Sequence, residues 1–378
     1  MRRLFVLSFI LLCISFSPSL ATDTIRQLCP SVGIQQNNAS FASDGIILTS
    51  FDRTNIWAVD LYNDRRYPLD NASLCSTNCH LSPDFTWITY WDRQTESVNV
   101  MRLNGDDRTP VNANANEITW WTDTLFLIWT PDGSAYLQSD AGDIIAYAII
   151  DNLINVQPSG ELGLSLFYDA EEERFDRILR HITLRSQDAI MIGHDRPYFN
   201  ATQWSSNGDW LAFVDNATFD SNVNIAGGEI YAFDSRTDEI IQWTDLFATY
   251  GAVRINGHER GHLSWSPDNR YIAFWVIELL ASSPVSNTGQ AVLHVLDVNT
   301  GDMTAYCGLA TNDHTPNPPH LVWSPDSRHI AFGVDLPNND QGQVLLALNR
   351  ETGIFTQLSS GLFPTQGSPS VIAWGILP

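Results

Sequence analysis

Three observations predict an all-β fold, a closed β-propeller. His320–Val334 (HLVWSPDSRHIAFGV) is nearly copied at His262–Val276 (HLSWSPDNRYIAFWV), and weaker copies run over Gln203–Val214, His80–Trp91 and Ile128–Ser139. Each copy heads a unit of four short strand-like segments joined by turn residues, which is the composition of one propeller blade. The two ends also complete one another, because Val371–Trp374 reads as a first strand while Ile46–Phe51 reads as a second.

Taken in order, residues 1–21 read as an export signal: Arg2 and Arg3 are basic, Leu4–Phe16 is almost wholly apolar, and Ser19-Leu20-Ala21 offers a cleavage site. The apolar run is too short to span a membrane, and Leu12 before Cys13 argues against lipid anchoring. A secreted or periplasmic chain without a membrane span is expected. Residues 22–44, rich in Asn and Gln and aperiodic, read as an arm, and 45–378 as a single domain. In the first blade, Ile46–Phe51, Asn55–Asp60 and Arg66–Leu69 supply the second to fourth strands, and Val371–Trp374 supplies the first. Closure of this kind removes the open sheet edges that invite aggregation.

Further on, Glu117–Trp121 and Leu125–Trp129 read as two strands, and Gly163–Asp169, Arg177–Arg185 and Ala189–Ile192 as strands of a degenerate blade. The acidic run Asp169–Glu173 reads as a solvated hairpin tip. Third and fourth strands recur as Glu229–Asp234 with Glu239–Thr244, as Val292–Asp297 followed by Asn299-Thr300-Gly301, and as Val344–Asn349 with Ile354–Leu358. Seven blades of four antiparallel strands fit this spacing, with six as the alternative. In Ser-Pro-Asp, proline fixes φ at the first corner and Asp bonds its own backbone, so the tripeptide joins first to second strands tightly. Trp204, Trp265 and Trp323 then pack between neighbouring blades.

These motifs resemble the TolB-type, WD-like propeller repeat, which also occurs in the propeller domains of prolyl oligopeptidases. The resemblance covers residues 45–378 and is strongest after Ala201. TolB carries a globular domain before its propeller, for which the 23-residue arm is too short. The oligopeptidases carry an α/β-hydrolase domain, and no Gly-x-Ser-x-Gly elbow occurs here. The resemblance thus implies a propeller alone.

The formal charge is −23, and removing Arg2 and Arg3 with the signal makes it −25. An acidic surface of this size repels phosphate backbones, so no nucleic-acid partner is expected. All 20 cationic residues are arginine, which excludes Schiff-base chemistry, a P-loop and lysine-activated nucleophiles. Beyond Cys13, four cysteines remain: Cys29, Cys75, Cys79 and Cys307. In an exported chain they favour disulfides over a zinc site; sequence alone permits three pairings, of which Cys75 with Cys79 and Cys29 with Cys307 is the favoured set.

Two constellations carry candidate chemistry. His258-Glu259-Arg260-Gly261-His262 matches H-E-x-x-H, but that chemistry needs a helix, and Gly257, Gly261 and the strand opening at Leu263 make the segment read as a loop between blades. His262 and His320 each stand three residues before a repeat Trp, so both are expected at one mouth of the central channel, where a histidine pair can hold a metal or an anion and otherwise lines a wet channel. The insertions Asp215–Gly228, Glu278–Gln290, Asp335–Gly342, Asp245–Gly261 and Gly308–Pro319 all leave from one face, the opposite face keeping tight turns. No cofactor is expected; the Asp- and Asn-rich loops admit Ca2+, and the histidines a transition metal. The sequons at Asn38, Asn71, Asn200 and Asn216 matter only where exported asparagines are glycosylated.

The expected function is a monomeric, non-catalytic propeller that binds a protein, peptide or glycan at the loop-rich face, with His262, His320, His258 and Glu259 as ligand-binding candidates. The alternative is a metal-dependent polysaccharide lyase or hydrolase, since some lyases with similar repeats hold a metal on histidines at the channel mouth. A clustered His-x-His motif is missing, and an anionic sugar would meet an acidic protein.

Overall fold

The computed structural model describes residues 41, 43–52, 54–75, 79–148, 152–158, 160–172, 174–184, 189–195, 201–216, 227–251, 253–256, 263–279, 288–311, 318–335, 342–363 and 371–378. Most of the expected signal and arm therefore lies outside the described residues.

Seven antiparallel sheets follow one another. The first blade contains β1 (Ile46–Ser50), β2 (Ile56–Asp60) and β3 (Arg65–Pro68). The second contains β4 (Ala72–Ser73), β5 (Trp87–Asp92), β6 (Ser97–Arg102) and β7 (Thr109–Pro110). The third contains β8 (Glu117–Thr122), β9 (Leu125–Trp129), β10 (Ala135–Ser139) and β11 (Ile144–Tyr147). The fourth, the degenerate blade, contains β12 (Leu153–Val156), β13 (Leu162–Asp169), β14 (Arg174–His181) and β15 (Ile190–Asp195). The fifth contains β16 (Thr202–Trp204), β17 (Trp210–Asn216), β18 (Gly228–Asp234) and β19 (Glu239–Gln242), and a short helix α1 (Leu246–Tyr250) follows it. The sixth has an interrupted first strand, β20 (Val253–Ile255) and β21 (Ser264–Trp265), both paired with β22 (Tyr271–Leu279), and then β23 (Thr288–Asp297) and β24 (Met303–Thr311). The seventh contains β25 (Val322–Trp323), β26 (His329–Val334), β27 (Gln343–Asn349) and β28 (Phe355–Leu362).

The last strand, β29 (Val371–Gly375), pairs with β1 through Ile46↔Gly375, Ile47↔Trp374 and Leu48↔Ala373, giving the order β29-β1-β2-β3. The C-terminus thus completes the first blade, as expected. The Trp374 indole donates to Asp44 O at 3.1 Å, and Ile376 N–H donates to Phe85 O of the second blade at 2.9 Å.

The core is divided among seven buried clusters, each lying between two consecutive blades, the seventh joining blade seven to blade one. An open arc of seven sheets would have only six such interfaces, so the seventh cluster is the packing signature of a closed ring. Strand alternation divides the side chains: Ile46 and Leu48 pack toward blade two, while Ile47 between them packs toward blade seven. Neighbouring first strands touch around the ring, β16 with β21, β21 with β25 and β25 with β29, so the first strand of each blade is innermost.

Tryptophan does more than fill these interfaces. Trp323 Nε1 donates to Ser264 O (2.8 Å), Trp265 to Gln203 O (3.0 Å) and Trp120 to His80 O (3.1 Å), in each case the residue preceding the equivalent position of the previous blade. Trp204, whose preceding blade is the degenerate one, has an indole N–H without a partner among the described residues.

One expectation needs correcting. Thr130-Pro131-Asp132-Gly133 joins β9 to β10, the second and third strands of its blade, so Ile128–Ser139 is not a copy in register with the others. Asp132 caps this turn through Ser134 N and Thr130 Oγ1 just as the Ser-Pro-Asp aspartates cap theirs; the chemistry closes any tight hairpin and does not say which two strands it joins.

Candidate functional site

The two faces of the ring differ in how their connections are held. On the face with the Ser-Pro-Asp turns, adjacent blades are stitched together: Ser206 Oγ donates to Asn269 Oδ1 (2.8 Å), Asp268 N to Ser327 Oγ (3.1 Å), and Gln157 Nε2 to Gly208 O (2.7 Å). A Cβ on Gly208, at φ +75°, would lie 2.6 Å from Pro158 O, so this contact requires glycine.

From the opposite face leave the connections β17–β18, β22–β23, β24–β25, β26–β27 and β28–β29, whose central parts, 217–226, 280–287, 312–317, 336–341 and 364–370, lie outside the described residues. Their stems are fixed by buried charge. Arg177, fully buried on β14, donates from Nη1 to Val214 O (2.8 Å) and from Nη2 to His194 O (2.6 Å) and Asp215 Oδ2 (3.0 Å), tying blade four to the stem of β17. Gly193, at φ +110°, leaves room for that carboxylate, since a Cβ there would lie 2.3 Å from Asp215 Oδ2. On the other stem, Glu229 accepts from Thr244 Oγ1 (2.5 Å), Leu246 N and Phe247 N (both 2.8 Å), and burial nonetheless raises its pKa. Gln290 N donates to Glu278 Oε2 at 3.1 Å across the base of the β22–β23 connection.

Between blades two and three lies an ionisable pair that the sequence reading missed. His80 Nε2 lies 2.7 Å from Glu117 Oε1, the two side chains 27% and 20% exposed, so the pair is partly open to solvent. His80 is positioned by its N–H to Thr89 Oγ1 (2.6 Å) and by the Trp120 indole on its carbonyl. By the indole contacts and strand register, Trp120 stands where Trp323 does, so Glu117 occupies the repeat position of His320. Sequence carried a trace of this: HLSPD at His80 is HLVWSPD with two residues removed, which brings the histidine two positions nearer the turn.

The expected site residues fare unequally. His320 is half-buried, immediately before β25, while His258, Glu259 and His262 lie outside the described residues, in the 257–262 link between β20 and β21. The expected bond between Cys75 and Cys79 is not formed: both are free thiols, Cys75 N–H donating to Cys79 Sγ at 3.1 Å and Cys75 Sγ turned toward Thr89 O at 3.7 Å. Burial, with Cys79 alongside, raises the Cys75 pKa well above its ordinary value. Cys307 is disulfide-bonded; its partner, like Cys29, lies outside the described residues. Among the described residues no group of three His, Cys, Asp or Glu side chains is arranged to hold a metal ion, and no helix is long and apolar enough to cross a membrane. His294 is a core residue: its Nδ1–H faces Val292 O at 2.9 Å, and burial lowers its pKa to about 4.

The seam between blades seven and one forms a groove of about 810 Å3, lined by Asp60, Arg65, Arg66, Gln357 and Ser359 among others. Arg66 bridges it, donating to Ser359 Oγ (2.8 Å) and Ser360 O (3.1 Å).

The sheet order and the seven clusters define a closed seven-bladed β-propeller with two unlike faces. No family model and no curated protein matches the chain. Among solved structures it is similar to TolB from Acinetobacter baumannii (12% identity over 88% of this chain and 67% of that one, TM-score 0.44). It is also similar to an oligogalacturonate lyase from Vibrio parahaemolyticus (11%, 84% and 87%, TM-score 0.48) and to Kuenenia stuttgartiensis hydrazine synthase (15%, 72% and 77%, TM-score 0.43). At these values the likeness is one of fold alone, and the blade count rests on the sheet order and the seven clusters.

Proposed function

We propose that the chain is an exported, non-catalytic propeller that binds a protein, peptide or glycan at the face from which the long connections leave. The observation that carries this reading is the asymmetry of the two faces: turn-to-turn hydrogen bonds close one, while on the other Arg177, Asp215 and Glu229 hold the stems of a long connection at defined positions. A rigid ring presenting several long loops together is an arrangement suited to recognition, and the partly exposed His80–Glu117 pair offers a donor and an acceptor to a polar group. The test is to screen the purified protein on glycan and peptide arrays and then replace 280–287 and 336–341 with short Gly-Ser turns. The reading expects saturable binding that the loop exchange abolishes while the melting temperature is kept. Stoichiometric transition metal in the purified protein, together with turnover of an array glycan, would overturn it in favour of a metal-dependent enzyme.

A further inference from the structure

Arginine in this chain repeatedly covers the chain's own aromatic rings. The guanidinium carbon of Arg102 lies 4.0 Å from the centre of Trp87, that of Arg180 4.8 Å from Phe167 and that of Arg236 5.5 Å from Trp210, all three rings being half-buried. Tyr168 on β13 and Phe175 on β14 lack such a cover. They pair in register, with ring centroids 5.1 Å apart and planes inclined at 55°. The two are 58% and 44% exposed; among the described residues no other two exposed rings touch, and no arginine lies over either. Strand alternation puts the pair on the side of blade four that packs against blade five, since Leu164, in step with Tyr168, belongs to that core. Phe167 and Arg180 occupy the other side. Arg177, in step with Phe175, is committed to Val214 O and Asp215 and lies over Phe213. The β13–β14 hairpin joins second and third strands, as β17–β18 and β22–β23 do, so the pair stands at the face with long connections.

We propose that Tyr168 and Phe175 form a seat for an arginine side chain in a basic segment of a partner protein. The proposal rests on the reading of this face as the recognition face and names the class of partner taken there. Charge complementarity selects the occupant. The hairpin tip carries Asp169, Glu171 and Glu172 against one arginine, Arg174, which is committed to Glu172 (3.7 Å) and, on the other side of the strand, to Asp176 (3.3 Å). In register, the row Tyr168–Phe175 continues to Asp195 on β15. A ring face attracts a cation through its quadrupole, and a chain of formal charge −23 draws basic segments toward it. A neutral sugar stacks best on a flat platform, which two planes inclined at 55° do not make, and it gains nothing from the acidic tip. A second copy of this chain would bring −23 against −23, which opposes self-association.

The probe is a fluorescent synthetic peptide alternating glycine and arginine, with a control carrying glutamine at the arginine positions. Both are titrated by anisotropy at physiological salt, where exposed charges beyond about 8 Å are screened. The arginine peptide is expected to bind at least about tenfold more tightly than the control. Tyr168→Leu/Phe175→Leu should remove most of that preference, because it keeps apolar bulk and every carboxylate and loses only the rings; tryptophan at both positions should restore it. A preference that survives the leucine variant would overturn the proposal, since acidity alone would then account for it. Equal affinity of the two peptides, no binding of either, or ring-dependent binding of a neutral oligosaccharide in place of the arginine peptide would overturn it as well. So would a concentration-dependent dimer that the leucine variant abolishes, the occupant then being a second copy. Both rings are exposed, so the double variant should melt with the full chain, and the single Tyr168→Leu serves where it does not. The seat and the wider reading fail separately. An array ligand lost on replacing 280–287 and 336–341 but indifferent to the leucine variant, with no arginine preference, keeps the face and refutes the seat. A ring-dependent arginine preference with no array ligand sensitive to the loops keeps the seat and refutes the wider reading.

Discussion

Removing the last strand should open the ring, and the cost can be worked from what β29 buries. Val371 and Trp374 are fully buried and Ala373 nearly so, between blades two and seven. Truncating a buried Trp costs about 3–5 kcal/mol, an exposed rather than buried Val about 1.5–3 kcal/mol, and each net ladder hydrogen bond about 1 kcal/mol. Together these reach about 6–10 kcal/mol, against a total domain stability of about 5–15 kcal/mol. Deletion of residues 371–378 should therefore leave little or no folded protein. The milder Trp374→Ala, which also strips the bond to Asp44 O, should cost about 4 kcal/mol. With an unfolding entropy of about 0.7 kcal/mol/K for a chain this size, that is a fall in Tm of about 6 °C. Circular dichroism melts and urea titrations on both variants are the assay. A deletion variant melting within about 1 °C of the full chain would refute the closure.

Other consequences follow from buried polar groups. His294 has its folded-state pKa lowered to about 4 from 6.5, so between those values the unfolded chain binds more protons; stability should be complete above pH 6.5 and fall by about 3 kcal/mol as pH drops toward 4, a loss that His294→Phe should diminish in urea titrations across that window. Arg177→Met would leave Asp215 and two carbonyls without their buried donor, and a loss of about 3–5 kcal/mol is expected by chemical denaturation; a loss below about 1 kcal/mol would deny Arg177 its place between blades four and five. Iodoacetamide at pH 8 should label Cys75 slowly in the native protein and rapidly in denaturant, because the thiol is held protonated, and peptide mapping without reductant should recover Cys307 only as a disulfide.

The ring was legible in the sequence because one unit repeats with its turn chemistry intact. Ser324-Pro325-Asp326 and Ser266-Pro267-Asp268 announce the first hairpin of their blades, and the lone first strand at Val371–Trp374 announces its partner at Ile46. Blade three was harder, because Trp120 holds the repeat position without a Ser-Pro-Asp after it, while a Pro-Asp-Gly turn occurs one hairpin later. Periodicity had to decide there, and it gave the strands correctly and one register wrongly. The polar contacts were less visible. His80 with Glu117, and Arg177 with Asp215, are each made by residues 37 or 38 positions apart on neighbouring blades, and no local pattern encodes which side chains a ring brings face to face. A near-match of HLSPD to HLVWSPD was the only local mark of His80.

The measurement that bears most directly on the central claim, recognition at the face with long connections, is peptide-resolved hydrogen exchange on the protein with and without a peptide or glycan selected by the arrays. The account predicts that added protection falls on the stems and spans of 215–229, 278–290 and 335–343, leaving the turns at 205–209, 266–270 and 324–328 unchanged. Protection confined to those turns, with the long connections unaffected, would contradict it.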